Sequence, residues 1–210
     1  MVDAPNDSAE TLRLLDRIQA GDAAAFDRLF ERHRSTLRGF LDNRIDDRLR
    51  ARLDPSDVVQ ETHMEAYRRL DDYLARRPMP FHVWLRKTGY EQLLMLRRRH
   101  LRAGRRAAGR EEPLPDRSSS VLARRLAGRG STPSQRLERA ERAERVRRML
   151  ARLSAEDREV LLMRNYEDLA YGEIAGLLDI TPAAARQRHG RALMRLSRLL
   201  GEGSGGDDHG

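Results

Sequence analysis

The stretch Tyr171-Gly172-Glu173-Ile174-Ala175-Gly176-Leu177-Leu178-Asp179-Ile180-Thr181-Pro182-Ala183-Ala184-Ala185-Arg186-Gln187-Arg188-His189-Gly190-Arg191-Ala192-Leu193 decides how this chain is read. Ile174, Ala175 and Leu178 share one side of a short helix over about 172–178, and Ile180 plugs a brief turn. Thr181 then offers a capping hydroxyl, and Pro182 fits the first helical position, where its missing N–H costs nothing. On the second helix Ala185, His189, Ala192/Leu193 and Leu196 share an inward face. Ala183, Arg186, Gln187, Gly190 and Arg191 fall on or near the outward one. This is the pattern of a helix-turn-helix that reads DNA. Major-groove readout wants long hydrogen-bonding side chains near the start of the second helix, Arg for guanine and Gln for adenine. The plainer alternative is an amphipathic helix of an ordinary bundle with arginines on its wet face.

Composition supports a polyanionic partner. The 210 residues carry a net charge of +8, and 35% are charged against a usual ~25%. Only 39% are hydrophobic and 5% aromatic, so small aliphatic helical cores are expected. There is no cysteine, which excludes disulfides and thiolate metal sites. No long apolar run or signal segment is visible, so the expectation is a cytoplasmic protein without direct membrane insertion. Neither Gly-x-Ser-x-Gly, a P-loop nor His-Glu-x-x-His occurs, and only His63 accompanies the nearby acids. No catalytic residue, metal site or cofactor is expected.

Working outward, no useful segment alternates with period two, so the fold class is all-α. Residues 1 to about 9 are polar and expected to be disordered. Leu12, Leu15 and Ile18 are spaced for one helical face, Gly21 ends that helix, and Asp22 can cap the next. Phe26, Leu29, Phe30, His33, Leu37, Phe40 and Leu41 mark a long core stripe. Asp54-Pro55 reads as an N-cap and first residue of a helix running to about Tyr73, with Val58, Val59, Thr62, Ala66 and Leu70 inward. Asp54, Asp57 and Glu61 form an acidic cluster that would repel DNA and so calls for a basic partner surface.

Pro78 and Pro80 break the pattern before a helix with Phe81, Trp84, Leu85, Thr88 and Leu96. Phe81, Trp84 and Tyr90 are candidate stacking surfaces for unpaired bases, Phe81 being the best placed for exposure. Seven arginines and no acid lie between Arg97 and Arg110, which suits a phosphate track. Gly, Pro and Ser then scatter through a linker, with a short helix at Val121–Leu126. Thr132-Pro133-Ser134-Gln135 launches a charged helix, and Ser154-Ala155-Glu156-Asp157 another. The expected organisation is two small helical domains, 10–103 and 134–200, joined by a flexible linker at 104–133 and followed by a disordered tail at 201–210.

The order of parts resembles bacterial sigma factors of the extracytoplasmic-function group. Gly21-Asp22-Ala23-Ala24-Ala25-Phe26-Asp27-Arg28-Leu29-Phe30 is similar to that family's opening helices. Asp54-Pro55-Ser56-Asp57-Val58-Val59-Gln60-Glu61-Thr62 and Phe81-His82-Val83-Trp84-Leu85 resemble its next two motifs, and the helix-turn-helix its promoter-reading one. The arginine-rich segment with Glu112-Pro113-Leu114-Pro115-Asp116 resembles a planctomycete-type subgroup.

The resemblance implies a region 2-like domain, a region 4-like domain, and partnership with core RNA polymerase through its β′ clamp and β flap. It implies that Asp54, Asp57, Val58, Gln60 and Glu61 dock on the clamp. Phe81, Trp84, Lys87, Tyr90, Arg97 and Arg98 would handle the −10 element. Arg186, Gln187 and Arg191 would read the −35 element, with Arg188 at phosphate. Promoter DNA and an anti-sigma factor are the other implied partners. A stand-alone helix-turn-helix regulator is the competing reading. Glu91 stands where many members carry Asn, Met95 where an Asp is common, and Ala184-Ala185 where Thr-Val is usual.

Overall fold

A computed structural model describes residues 7–45, 50, 53–105, 117–127 and 133–202. Among these residues there are ten helices and no strand. The chain divides into two compact units, Met1–Glu112 and Pro113–Gly210. The first holds α1 (Ala9–Gln19), α2 (Ala24–Asp42), α3 (Pro55–Arg68), α4 (Leu70–Arg76) and α5 (Phe81–Arg105). The second holds α6 (Arg117–Leu126), α7 (Pro133–Ala151), α8 (Ala155–Asn165), α9 (Tyr171–Leu178) and α10 (Pro182–Glu202).

In unit 1, α2 lies against α1, α3 and α5, and α3 against α5. Phe26, Leu29, Phe30, Leu37, Phe40 and Leu41 are all buried, and burial of each such side chain stabilises by roughly 1.5–3 kcal/mol. On α1 the inward face is Thr11, Leu14 and Leu15, with Ile18 half-buried, whereas Leu12 is 42% exposed. The inward face is therefore rotated from the 12/15/18 stripe, with Leu14 in the place expected for Leu12. Gly21 ends the turn after α1 at φ +95°, a left-handed conformation that favours glycine. Asp22 precedes α2 and its carboxylate is shared: Arg17 holds it at 2.5 and 2.9 Å, and the Ala24 and Ala25 N–H groups at the helix start donate to it, while Ala23 occupies the cap position without a side-chain bond.

Two residues placed by sequence in a disordered terminus cap helices instead. The Ser8 hydroxyl accepts from Thr11 N–H at 3.3 Å, opening α1. Asp7 accepts from Phe81 N–H at 2.7 Å, at the start of α5. A terminal segment with no apolar pattern still orders when its side chains satisfy helix N–H groups that would otherwise lack partners.

The helix from Asp54 stops at Arg68, earlier than expected; α4 follows after Arg69 and turns Leu70 and Tyr73 into the core. Gly89 lets α5 approach α2 and α3 closely: a Cβ there would lie 3.0 Å from Leu37 Cδ1 and 3.4 Å from Thr62 Oγ1. The core's threonines satisfy their hydroxyls within their own helices, Thr62 on Val58 O at 2.6 Å and Thr88 on Trp84 O at 3.0 Å.

In unit 2, α6 packs on α7 and α8, and α10 packs on α8, α9 and α7. The helix within the expected linker thus starts at Arg117 and is part of the unit's core, burying Val121, Leu122, Ala123 and Ala127. Its apolar residues are too few to stand out among glycines and arginines, yet they join a core in which Leu150 and Leu161 are fully buried. The arginines at 106 and 110, the Glu112–Asp116 segment, the Thr132 cap and tail residues 203–210 lie outside the described residues.

Candidate nucleic-acid interface

The helix-turn-helix forms from local signals. Glu173 Oε2 accepts from Ala170 N–H at 2.8 Å at the start of α9. Asp179 closes that helix in the left-handed region at φ 53°, which Asp tolerates better than most residues. Thr181 Oγ1 accepts from Ala184 N–H at 3.1 Å, and Pro182 begins α10. Ile174 and Ala175 are buried as their spacing predicts; Leu177 is buried beside them, and Leu178 is half-buried. On α10, Ala185, His189, Ala192 and Leu196 are buried as their spacing predicts. Leu193 stays 38% exposed.

That packing leaves Arg186, Gln187 and Arg191 exposed at the start of α10, where long polar side chains can enter a major groove. Arg188 is half-buried, with Nη2 4.0 Å from Glu156 Oε2. Arg195 is ion-paired to Asp157, which is only 5% exposed. The cation serves to tie α10 to α8, because a buried carboxylate requires a partner.

Tyr171, the first residue of α9, meets α10 at His189 and Arg186. Its hydroxyl lies 3.1 Å from His189 Nδ1, and Asn165 Nδ2 lies 3.0 Å from His189 Nε2. The Arg164 and Arg186 guanidinium carbons lie 5.0 and 5.3 Å from the Tyr171 ring centroid. Burial, with the nearby Arg164 charge, holds the His189 imidazole below its usual pKa. Spacing identified His189 as inward, but not its polar partners on two other helices.

On α3, Asp57, Gln60 and Glu61 are exposed and Met64 is 40% exposed, at i, i+3, i+4 and i+7 along one stripe. Val58, included among the docking candidates, is fully buried and faces the core. Asp54 is exposed, yet its carboxylate accepts Ser56 N–H at 2.7 Å; that hydrogen bond holds its pKa below the usual carboxylate range. Its place is the helix cap.

Phe81 is also corrected. It has no exposed surface and meets Tyr73, Trp84 and His33 at ring-centroid distances of 5.7, 5.6 and 5.5 Å. A large ring just inside a helix start, beside a proline-bounded turn, is drawn into the core. Trp84 is half-buried and stacked on Tyr73 at 4.6 Å. The Tyr73 hydroxyl donates to Met79 O at 3.1 Å, bracing the 77–80 turn under Trp84. Lys87 and Tyr90 are half-buried, and Arg97 and Arg98 exposed. Lys87, Glu91, Leu94 and Arg98 follow one edge of α5 at i, i+4, i+7 and i+11.

Sequence reading also missed Arg44 and Arg69. Arg44 is 7% exposed, lies 3.6 Å over the Phe40 ring and donates to Phe40 O at 2.7 Å. Arg69 bridges Glu65 at 2.6 Å and Glu91 at 2.7 Å. No group of three His, Cys, Asp or Glu suited to a metal ion occurs among the described residues. Nor is any described helix long and apolar enough to cross a membrane.

Two helical units, one presenting arginines from a helix-turn-helix and the other an acidic stripe, define a DNA-binding regulatory protein. Residues 143–196 match the family model for sigma-70, region 4. The chain is 31% identical over 147 residues to the RNA polymerase sigma factor CnrH of Cupriavidus metallidurans, covering 70% of this chain and 73% of that one. It is 26% identical over 179 residues to the ECF RNA polymerase sigma-E factor of Haemophilus influenzae, covering 85% and 89%. The structure of CnrH in complex with the cytosolic domain of CnrY superposes with a TM-score of 0.55 at 25% identity, covering 93% of this chain and 99% of that one. The chain therefore belongs to the extracytoplasmic-function RNA polymerase sigma factors of the sigma-70 family. Such a subunit directs core polymerase to specific promoters and promotes DNA opening at initiation.

Proposed function

We propose that this sigma factor divides promoter engagement between its units through opposite surface charges. The observation that carries the reading is that unit 1 presents an acidic stripe on α3, Asp57 and Glu61 with Gln60 and Met64, while unit 2 presents the exposed Arg186, Gln187 and Arg191 on α10. In a chain of net charge +8, an acidic stripe is suited to a basic protein surface, here the polymerase β′ clamp. Met64 adds an apolar anchor beside the carboxylates. The start of α10 reads the −35 duplex, with Arg188 and the nearby backbone at phosphate.

In unit 1, the exposed part of Trp84, with Lys87, Tyr90, Arg97 and Arg98 along α5, takes the −10 strand as it opens. Phe81 acts indirectly, as the core ring on which Trp84 rests. The protein works as a cytoplasmic initiation subunit and not as an enzyme. An anti-sigma factor is a further partner; a relative, CnrH, is held in complex with the cytosolic domain of another protein, CnrY.

Asp57→Lys and Glu61→Lys test the division. Each should weaken core-polymerase binding about tenfold or more, with binding of the chain to −35 duplex unchanged. Equal loss in both assays would assign the stripe to folding instead. A tight palindromic footprint without polymerase would favour a stand-alone regulator.

A further inference from the structure

The side chains around Tyr171 form a directed relay that ends at Arg186. Asn165 Nδ2 donates to Leu161 O at 3.2 Å, which fixes the orientation of the amide. The same nitrogen lies 3.0 Å from His189 Nε2, so it meets an unprotonated ring nitrogen. The imidazole proton must then sit on Nδ1, 3.1 Å from the Tyr171 oxygen, where it is donated. His189 is 8% exposed and sits three residues after Arg186 on α10. The relay thus joins α8, α9 and α10 and fixes the Tyr171 ring.

The Arg186 guanidinium lies 5.3 Å from that ring's centroid, within range of a cation–π contact. Arg164, the other cation near the ring, is anchored by its bond to Leu169 O at 2.9 Å. An exposed arginine on a helix otherwise samples many rotamers, and ordering it on DNA opposes binding. A fixed aromatic face at the helix start limits that sampling before the duplex arrives.

We propose that Tyr171 is a positioning residue for promoter specificity: its ring, oriented by Asn165 and His189, pre-sets Arg186 for reading one base pair of the −35 duplex. This rests on Arg186 being a base reader. Tyr171 need not touch DNA. Its removal changes how sharply one base position is discriminated, while phosphate-driven affinity remains.

The experiment uses holoenzyme assembled from core polymerase and the full chain. Duplexes randomised across the promoter are selected with wild-type protein, and the −35 positions are then re-randomised and selected with Arg186→Ala, Tyr171→Leu and Tyr171→Phe. Arg186→Ala should flatten the preference at one position. Tyr171→Leu should reduce discrimination at that same position by about two- to fivefold, the range of a cation–π contact at an exposed site, leaving the others unchanged. Tyr171→Phe keeps the ring and should lose less than Tyr171→Leu. If Tyr171→Leu keeps the preference at that position, or lowers binding equally at every position, Tyr171 does not position Arg186. If Arg186→Ala flattens no position, the base-reading assignment fails and the positioning role falls with it.

Discussion

Arg69 Nη1 lies 2.7 Å from Glu91 Oε2, and the same guanidinium reaches Glu65 at 2.6 Å. Glu91 belongs to the edge of α5 that also carries Lys87 and Arg98, so a bare carboxylate there would oppose a phosphate backbone. Arg69 neutralises it. The pair is 44% and 40% exposed, so its removal should change stability by less than about 1 kcal/mol. The larger effect should be on DNA. Arg69→Ala should weaken holoenzyme binding to −10 single strand by about two- to tenfold at low salt. Adding Glu91→Gln should restore it. Failure of the second change to rescue the first would show that Glu91 does not face the strand.

Two glycines in helices should respond to alanine with opposite sign. At Gly190 a Cβ would meet no heavy atom within 4 Å, so Gly190→Ala should stabilise unit 2 by about 0.5–1 kcal/mol through helix propensity. At Gly89 the same methyl would lie 3.0 Å from Leu37 Cδ1 in a packed core, and Leu37 is 1% exposed. Overpacking should outweigh propensity, destabilising unit 1 by about 1 kcal/mol. Denaturant midpoints for the two variants provide the check.

Stability should fall as pH drops below 6.5. Burial lowers the His33 pKa to about 4, with the His82, Arg32 and Arg86 charges acting the same way and Asp7 opposing them. Above 6.5 the imidazole is mostly neutral in both folded and unfolded chains, so its contribution is constant. Between about 6.5 and about 4 the unfolded chain takes up a proton that the folded chain excludes, and roughly 1–3 kcal/mol is lost. His189 acts with the same sign in unit 2: burial and Arg164 lower its pKa, and Asn165 offers a donor where a second imidazole proton would go. Titration of the histidine ring protons by NMR should find His33 midway near 4 and His189 below 6.5. Midpoints at or above 6.5 would contradict the burial account.

The elements whose signals lie close together in sequence were legible there. Asp54-Pro55 and Thr181-Pro182 announce helix starts, and the 185/189/192/196 spacing gives the buried face of α10. What escaped depends on partners far along the chain. Asp7 caps a helix that begins at Phe81, Arg195 pairs with Asp157, and Arg69 with Glu91. Exposure of aromatics failed for the same reason: Phe81 looks like a loop-edge ring until His33, Tyr73 and Trp84 close around it. At the candidate interface, the charge of Asp57, Glu61, Arg186 and Arg191 and the inward face of Val58 were readable, whereas Phe81 required the fold to show it buried. Tyr171 gave no sign of its role, because a tyrosine at a helix start has no pattern of its own.

The most direct test of the central claim is run-off transcription with core polymerase and the purified chain on a library of genomic fragments. Transcripts should start at defined sites that share paired −35 and −10 elements, and should disappear when the chain is omitted. Asp57→Lys should reduce them at limiting chain concentration through weakened core binding, and Arg186→Ala should redistribute them among sites. Starts that are unchanged without the chain, or that share no paired elements, would contradict the account.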